Sequence, residues 1–269
     1  MPELPEVETI ARGLHSRVAG DSVTAVWIGS RKQVLKSSAA KIAATVTGKK
    51  ILRVHRMGKH IVFDLGGKAA EAQWIVHLGM TGRMLVCEPE VESAKHTHLS
   101  ATLSSGRELR FVDARMFGKL SVAVPPAFDP GGVEPLDTDA ATFVRLFRGR
   151  KTPIKSALLN QKLLRGVGNI YADEALARVG IRPQRKAASI SRADLERLLG
   201  AVQAVLREAI QLGGSSVSDY VGADGEEGFF QLQHRVYGRE GEPCVTCKTP
   251  IRRLVIGGRS SHYCPKCQK

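Results

Sequence analysis

The chain opens with Met1-Pro2-Glu3-Leu4-Pro5-Glu6-Val7-Glu8, and the remaining sequence is organised around this stretch. Removal of Met1 would leave Pro2 with a free α-amine. Because an α-amine has a reference pKa of about 7.7–8.0, against about 10.4 for lysine, more of it is neutral near pH 7. A neutral amine attacks aldehydic carbon atoms to form an imine. Glu3 and Glu6 are carboxylates that can move protons beside it.

The same residues also fit a purely structural explanation. Proline is tolerated in the first turn of a helix, so Pro5 can open one, and acidic side chains complement the helix dipole there. Apolar residues then recur at helical spacing until Gly20. We therefore predict a helix that buries one apolar stripe and holds the N-terminus in place. The residues of this stripe are Val7, Ile10, Ala11, Leu14 and Val18.

Short runs of β type follow the helix, at residues 23–28, 50–55, 60–65 and 74–78. Further along, apolar residues alternate on both sides of the turn Ser104-Ser105-Gly106-Arg107, which indicates a β-hairpin. Many short strands with few helices predict a β-sandwich in this half of the chain.

The pattern changes after Pro125-Pro126 and Asp129-Pro130-Gly131-Gly132, which indicate a hinge. Beyond it the spacing of apolar residues becomes helical. One helix is predicted to start at Pro153, a second to run from Asn169 as its N-cap to Gly180, and a third to span 191–210. Residues 213–228 are rich in Gly, Ser and Asp and predict a loop.

These patterns predict an α+β chain of several domains. The first, at residues 1–128, is a β-sandwich with a leading helix. The second, at 129–230, is helical and includes the loop 213–228, and the third, at 231–269, carries four of the five cysteines. Lys and Arg total 40 against 26 acidic residues, a net charge of +14, which favours a polyanionic partner.

The cysteines carry the strongest local signal. Cys244-x-x-Cys247 and Cys264-x-x-Cys267 are separated by sixteen residues, and four thiolates in two close pairs satisfy one tetrahedral zinc ion. We predict a zinc ribbon, and Cys87, which stands alone, is interpreted as an inert, small apolar residue. No stretch reaches 18 apolar residues and no charged and then apolar leader opens the chain, so we expect a cytoplasmic protein without a membrane partner.

Residues 1–9, MPELPEVET, resemble the N-terminal signature of the formamidopyrimidine-DNA glycosylase family, bacterial enzymes of base-excision repair. The resemblance extends over the whole chain and follows the family order. The further matching segments are 77–82, 113–118, the helix–two-turns–helix motif at 164–175, 237–241 and the zinc ribbon.

The resemblance implies a role for each matching residue. Pro2 is the nucleophile, Glu3 moves protons, and Lys59 and Arg259 hold the phosphates that flank the lesion, while Glu6 supports the site. Met80, Arg115 and Phe117 match an intercalating triad. The implied DNA-binding residues are Met80, His96, Arg115, Phe117, Arg150, Lys155 and Asn169, and the loop 213–228 is implied to cap the flipped base.

Plainer interpretations of these residues stay open. Lys59 also fits a solvated charge at the start of a strand, Met80 and Phe117 fit ordinary core residues, and Asn169 fits a simple helix cap. The chain also departs from the family pattern: Ala114 replaces a usual proline, Ser218 stands where some relatives have lysine, and Glu226-Glu227 adds acids nearby. These departures concern the choice of lesion.

The resemblance implies a monomeric, nucleoid-associated DNA glycosylase and AP lyase that acts on duplex DNA with an oxidised purine, such as 8-oxoguanine or a formamidopyrimidine. An imine at Pro2 would lead to strand cleavage by β- and δ-elimination. One alternative is the sister branch that removes oxidised pyrimidines, although its signature usually has glycine where this chain has Leu4. The alternative of another class is a non-catalytic zinc-ribbon protein that binds DNA.

Overall fold

The computed structural model describes residues 1–215 and 228–269, and these residues form two compact units. Residues 1–129 make the first unit together with Gly213–Ser215 and Gly228, and residues 130–212 with 229–269 make the second. The sequence placed 213–228 in its second domain, and its division into three domains stays a prediction. Residues 216–227, with Ser218, Glu226-Glu227 and most of the expected capping loop, lie outside the described residues.

The first unit contains two helices and eight strands. The helices are α1 (Leu4–Val18) and α2 (Ala39–Val46), and a 3₁₀ turn spans Lys32–Val34. The strands are β1 (Val23–Ile28), β2 (Lys50–Met57), β3 (His60–Gly66), β4 (Ala70–His77), β5 (Arg83–Cys87), β6 (Thr97–Leu103), β7 (Glu108–Val112) and β8 (Lys119–Ala123).

The strands form two four-stranded antiparallel sheets, in the orders β1-β6-β7-β5 and β2-β3-β4-β8. Buried side chains of both sheets and of both helices share one hydrophobic core, in which the rings of Phe63 and Trp74 stack at 4.8 Å. The predicted β-sandwich with a leading helix is therefore confirmed. The predicted hairpin is β6–β7, in which Leu99 faces Phe111 and Ala101 faces Leu109.

The stripe predicted for α1 is buried as expected, and each Val, Leu or Ile side chain in it contributes about 1.5–3 kcal/mol of hydrophobic stabilisation. Three elements of this unit were not predicted from the sequence: α2, β5 and β8. The two strands have only five residues each and α2 has eight, so neither a two-residue nor a 3.6-residue period repeats often enough to be recognised.

The second unit consists of four helices and one β-hairpin. The helices are α3 (Ala140–Phe147), α4 (Ile154–Leu158), α5 (Asn169–Val179) and α6 (Arg192–Gln211), and the hairpin joins β9 (Arg252–Ile256) to β10 (Arg259–Tyr263). Gly180 ends α5 in the left-handed conformation that was predicted, with φ of +73°. The predicted N-cap was wrong by one residue: Gly168 is the N-cap and Asn169 is the first helical residue.

The remaining helices agree with the sequence patterns, except that α3 was not predicted. Ser191 caps α6 by accepting a 3.1 Å hydrogen bond from the backbone of Asp194. Within residues 1–215 and 228–269, no helix combines the length and apolar character that crossing a membrane requires.

Candidate active site

The N-terminus of α1 is buried, and a carboxylate holds it in place. Pro2, Glu3 and Glu6 are all buried, and Glu6 Oε2 accepts a 2.7 Å hydrogen bond from the backbone N–H of Glu3. Glu6 Oε1 accepts a second bond, of 2.8 Å, from the backbone N–H of Ser215. One side chain therefore joins the first turn of α1 to the segment 213–215 within the same unit.

Gly214 lies so close to Glu6 that a larger residue would displace the Glu6 side chain. Its φ is +87°, and a Cβ built there would lie 2.9 Å from Glu6 Oε1. Both the backbone conformation and the position of the Glu6 carboxylate therefore favour glycine. The sequence showed Gly213-Gly214 as part of a loop, but this contact joins positions about 208 residues apart and was not readable from it.

Lys59 lies in the turn between β2 and β3 and is only 9% exposed. Arg56 supports this turn, because its Nη1 donates a 3.4 Å bond to the carbonyl of Gly58. The same guanidinium pairs with Glu8 of α1, with an Nε–Oε2 distance of 2.8 Å. Lys59 is thus held in a supported, largely enclosed turn, which does not fit the plainer interpretation as a solvated surface charge.

Two histidines next to Lys59 were not singled out from the sequence. The rings of His60 and His77 lie 5.0 Å apart, and His77 Nδ1 accepts a 3.2 Å bond from the backbone N–H of Gly79. Burial lowers the pKa of each histidine to about 4, and for His77 the neighbouring positive charges, including that of Lys59, act in the same direction. Both rings are therefore neutral at pH 7.

A buried carboxylate, Asp113, connects the two turns that carry the proposed wedge residues. Its Oδ1 accepts a 2.5 Å bond from the hydroxyl of Thr81, and its Oδ2 accepts a 2.8 Å bond from the backbone N–H of Gly118. The turns also touch directly, since a Cβ on Gly79 would lie 2.5 Å from the Gly118 nitrogen. The two segments are therefore joined both by the Asp113 carboxylate and by direct backbone contact. The motif 113–118 contained this aspartate, but its role depends on the fold.

The side chains that these turns present are exposed. Met80 is 40% exposed and Phe117 is 51% exposed, so neither is an ordinary core residue. The guanidinium carbon of Arg115 lies 4.8 Å from the centre of the Phe117 ring, a cation–π arrangement. His96 is also exposed, and its carbonyl accepts a 3.0 Å bond from the backbone N–H of Asp113. The structure thus brings together the four residues expected to contact DNA in this unit.

In the second unit, Asn169 begins α5 after a turn that a glutamine side chain holds. Gln161 Nε2 donates to the carbonyl of Val167 at 2.8 Å, and its Oε1 accepts from the backbone N–H of Gly166 at 2.9 Å. Asn169 itself is half-buried at the N-terminus of α5, where the positive end of the helix dipole favours an anion.

Arg150 and Lys155, the two other residues of this unit expected to contact DNA, differ in their exposure to solvent. Arg150 is exposed, and its Nε donates a 2.5 Å bond to the carbonyl of Leu146. The side chain of Lys155 has no exposed surface and pairs with Asp173 at 2.7 Å. A direct contact between Lys155 and DNA, as the sequence suggested, is not favoured by this burial.

The four cysteines of the hairpin region fit one zinc ion. Their sulfur atoms all lie within 4.8 Å of one another, with Cys247 and Cys264 separated by 3.5 Å and Cys244 and Cys267 by 3.9 Å. A tetrahedron with Zn–S bonds of about 2.3 Å has edges of about 3.8 Å, so these separations match. Arg259 is exposed at the start of β10, next to the turn of the hairpin.

Comparison with known proteins agrees with this arrangement over the whole chain. Three family descriptions match: Formamidopyrimidine-DNA glycosylase N-terminal domain at residues 1–120, Formamidopyrimidine-DNA glycosylase H2TH domain at 132–221, and Zinc finger found in FPG and IleRS at 241–269. The formamidopyrimidine-DNA glycosylase of Solibacter usitatus is 47% identical over 272 residues, which include all of both chains. The chain belongs to the formamidopyrimidine-DNA glycosylase family.

Other members of the family are similar in sequence and in structure. The formamidopyrimidine-DNA glycosylase of Cereibacter sphaeroides strain ATCC 17029 is 42% identical over 287 residues and all of both chains. The crystal structure of the MutM (Fpg) protein from Thermus thermophilus matches with a TM-score of 0.88 at 40% identity, covering 99% of this chain and 98% of that one. A complex of the Lactococcus lactis Fpg with DNA containing an abasic site matches with a TM-score of 0.90 at 30% identity, covering 99% of each chain.

Family membership confirms the class of activity that the resemblance implied. The protein is a bifunctional DNA glycosylase and AP lyase that acts in base-excision repair of oxidised bases, and one structural zinc ion belongs to its finger. The non-catalytic DNA-binding alternative is therefore wrong.

Proposed function

We propose that this protein excises oxidised purines, 8-oxoguanine and formamidopyrimidines, from duplex DNA, with Pro2 as the nucleophile once Met1 has been removed. The observation that carries the proposal is the buried N-terminus of α1, where Glu6 fixes the backbone next to Pro2 and Glu3. A nucleophile held in one position reacts faster because its orientation is already set.

The reaction follows from the chemistry of a secondary amine. The Pro2 nitrogen attacks C1′ of the flipped nucleotide, the bond from C1′ to the base breaks, and the base leaves with the bonding electrons and takes up a proton. The sugar ring opens to an iminium ion, with Glu3 as the proton donor and acceptor. The iminium makes C2′ acidic, so loss of a proton there expels the 3′ phosphate, and a second elimination expels the 5′ phosphate.

The other predicted residues act on the DNA. Lys59 and Arg259 hold the phosphates that flank the lesion, and His96, Arg150 and Asn169 contact the backbone. Met80 and Phe117 fill the space that the flipped nucleotide leaves, with Arg115 held against Phe117. We also propose that the protein works as a monomer on chromosomal DNA in the cytoplasm.

Structures of relatives support this choice of substrate and also favour a second class of substrate. The Lactococcus lactis Fpg, 30–31% identical to this chain, is known in complexes with Fapy-dG containing DNA, which favours formamidopyrimidines. The same relative is also known with an oxidised pyrimidine containing DNA, which favours oxidised pyrimidines as a second class of substrate.

A borohydride trap on three duplexes tests both parts of the proposal. Each duplex carries 8-oxoguanine, a formamidopyrimidine or thymine glycol, and the protein is prepared with Met1 removed and with Met1 retained. Processed protein should form a covalent adduct and excise the two purine lesions faster than thymine glycol. Protein that retains Met1 should bind but neither trap nor excise, since its Pro2 nitrogen is an amide. Equal turnover by both preparations would refute Pro2 as the nucleophile, and faster excision of thymine glycol would refute the purine preference.

A further inference from the structure

The ion pair between Lys155 of α4 and Asp173 of α5 is the most completely buried pair of charges in the described part of the second unit. Lys155 Nζ lies 2.7 Å from Asp173 Oδ1, and neither side chain has any exposed surface. Removing two charges from water is costly, and a buried ion pair often contributes little net stability. Stability alone therefore does not explain why this ion pair is buried at this position.

Both members of the pair bond to the same β-strand. Lys155 Nζ donates a 2.6 Å hydrogen bond to the carbonyl of Ser260, and Asp173 Oδ2 accepts a 2.9 Å bond from the backbone N–H of His262. The carbonyl of one residue and the N–H two residues later lie on the same edge of a strand. Strand β10 is paired with β9 in a two-stranded sheet, so among the described residues one edge of β10 has no strand partner. The ion pair supplies hydrogen-bond partners to that edge.

The two contacts lie at different points of β10. Lys155 bonds to Ser260, one residue after Arg259 and near the turn, whereas Asp173 bonds to His262, two residues before the zinc ligand Cys264 at the base. Cys264 follows β10, and Arg259 stands five residues earlier, about 17 Å away along an extended strand at about 3.4 Å per residue. Helix α4 touches the turn as well, since a Cβ on Gly257 would lie 3.4 Å from Ser156 Oγ. Zinc therefore organises one end of the hairpin and the α4 residues contact the other.

We propose that the Lys155–Asp173 pair positions Arg259 by holding β10 at two points, with the Lys155 bond to Ser260 fixing the end next to Arg259 through a contact that does not involve the zinc ion. Lys155 is then a positioning residue that acts through Arg259, in place of the direct DNA contact that the sequence suggested. The functional part of this proposal rests on the phosphate contact proposed above for Arg259. The anchoring part rests only on the contacts of the second unit.

Hydrogen exchange tests the anchoring on the full-length, zinc-loaded protein without DNA. The variants are Lys155→Met, which keeps the length of the side chain, and Lys155→Met with Asp173→Asn, which leaves no unpaired buried charge and keeps an acceptor for His262. Lys162→Met, at an exposed lysine of the same unit, is the control. Exchange of the amides in 252–263 should rise at least tenfold in both anchor variants, with zinc content and the protection of α6 unchanged.

Two results of this experiment would overturn the proposal. Unchanged exchange in 252–263 would show that zinc alone orders the hairpin. An equal rise throughout α6 would show that the pair stabilises the unit as a whole and does not anchor the hairpin in particular. The double variant separates the second result from simple misfolding, because it removes the charge that a single substitution leaves unpaired.

The functional part is tested by placing Arg259→Ala in two backgrounds. Arg259→Ala should reduce the affinity for an abasic-site duplex at least fivefold when it is made in the wild type. When it is made in Lys155→Met, the change in the logarithm of the affinity should be less than half as large. The full effect in both backgrounds would overturn the positioning role. If Arg259→Ala had no effect in the wild type, the proposed phosphate contact would fail, and with it the functional part, while the exchange experiment would still decide the anchoring.

Discussion

The hydroxyl of Thr81 donates a 2.5 Å hydrogen bond to the buried carboxylate of Asp113, and this bond joins the turn after β4 to the turn after β7. Met80 precedes one partner, and Arg115 and Phe117 follow the other. This bond, together with the contact between Gly79 and Gly118, sets the relative position of the three side chains proposed to enter the DNA, although neither the hydroxyl nor the carboxylate would itself contact a base.

We expect Thr81→Val to reduce excision of 8-oxoguanine at least tenfold in single-turnover assays. The substitution keeps the shape of the side chain but removes the hydroxyl donor to Asp113 Oδ1, to which the backbone N–H of Arg115 still donates at 3.2 Å. Loss of one hydrogen bond to a buried carboxylate costs about 1.5–3 kcal/mol. Thr81→Ser keeps the hydroxyl and is the matched control, so it should retain most of the activity. Equal rates for the valine and serine variants would show that the two turns hold their positions without this bond.

The exposed apolar side chains should matter for extrusion more than for the first encounter with DNA. Met80→Ala and Phe117→Ala remove volume that would replace lost base stacking, and unstacking costs a few kcal/mol. Excision should fall by a factor of ten or more, while affinity for undamaged duplex changes less than threefold. Trp27→Ala, at an exposed aromatic residue on β1, is the control. Wild-type excision by both variants would identify Met80 and Phe117 as residues without a wedge function.

Gly214→Ala should damage the active site beyond its effect on stability. A Cβ there would displace the Glu6 carboxylate and with it the bond to the Glu3 backbone, so we expect at least a tenfold loss of borohydride trapping. Gly20→Ala is a matched control, since Gly20 also has a positive φ, of +96°, but no atom lies within 4 Å of its added Cβ. Both variants should lose about 1–3 kcal/mol of stability from backbone strain. Normal trapping by Gly214→Ala would exclude a role for this contact in placing Glu6.

The buried histidines predict a loss of stability in mild acid. The folded pKa of His60 and of His77 is about 4, below the reference value of 6.5 that applies to the unfolded chain. The unfolded chain therefore binds more protons in this range, so the stability that the neutral rings contribute is complete above pH 6.5 and is lost as the pH falls toward 4. The contribution of each ring is on the order of 1–3 kcal/mol.

Urea unfolding at several pH values between 7.5 and 4 measures this effect. His60→Gln and His77→Gln should each reduce the dependence of the unfolding free energy on pH in this window. A wild-type unfolding free energy that stays constant from pH 6.5 to 4.5 would contradict the assignment of neutral rings.

Zinc and Arg259 should be separable by measuring metal content together with DNA binding. Cys264→Ser should lose zinc and weaken DNA binding, because structural zinc contributes about 10–16 kcal/mol of folding free energy in small fingers. Arg259→Ala should keep zinc, bind lesion DNA less tightly and show a salt slope smaller by about 0.9, as expected for one lost phosphate contact. Full zinc together with wild-type affinity and an unchanged slope in Arg259→Ala would show that this arginine does not contact a phosphate.

The sequence by itself determined the features that follow from a local apolar period or from a fixed spacing between motif residues. The apolar stripe of α1, the strands β1–β4, the β6–β7 hairpin and the four zinc ligands were all predicted correctly, because each depends on neighbours within about twenty residues. The N-terminal motif and the order of the other motifs were sufficient to indicate the family.

Only the tertiary structure decided which polar side chains are buried and what they hold. Lys155 reaches the carbonyl of Ser260 across 105 positions, and Thr81 reaches Asp113 across 32. The sequence does not show whether a lysine or an aspartate is surrounded by water or by protein. A buried charge needs charged or hydrogen-bonding partners, and the fold decides which groups are close enough to serve. The sequence could thus name Lys155 and the motif around Asp113, but only the packing of α4, α5 and the two turns showed what each side chain supports.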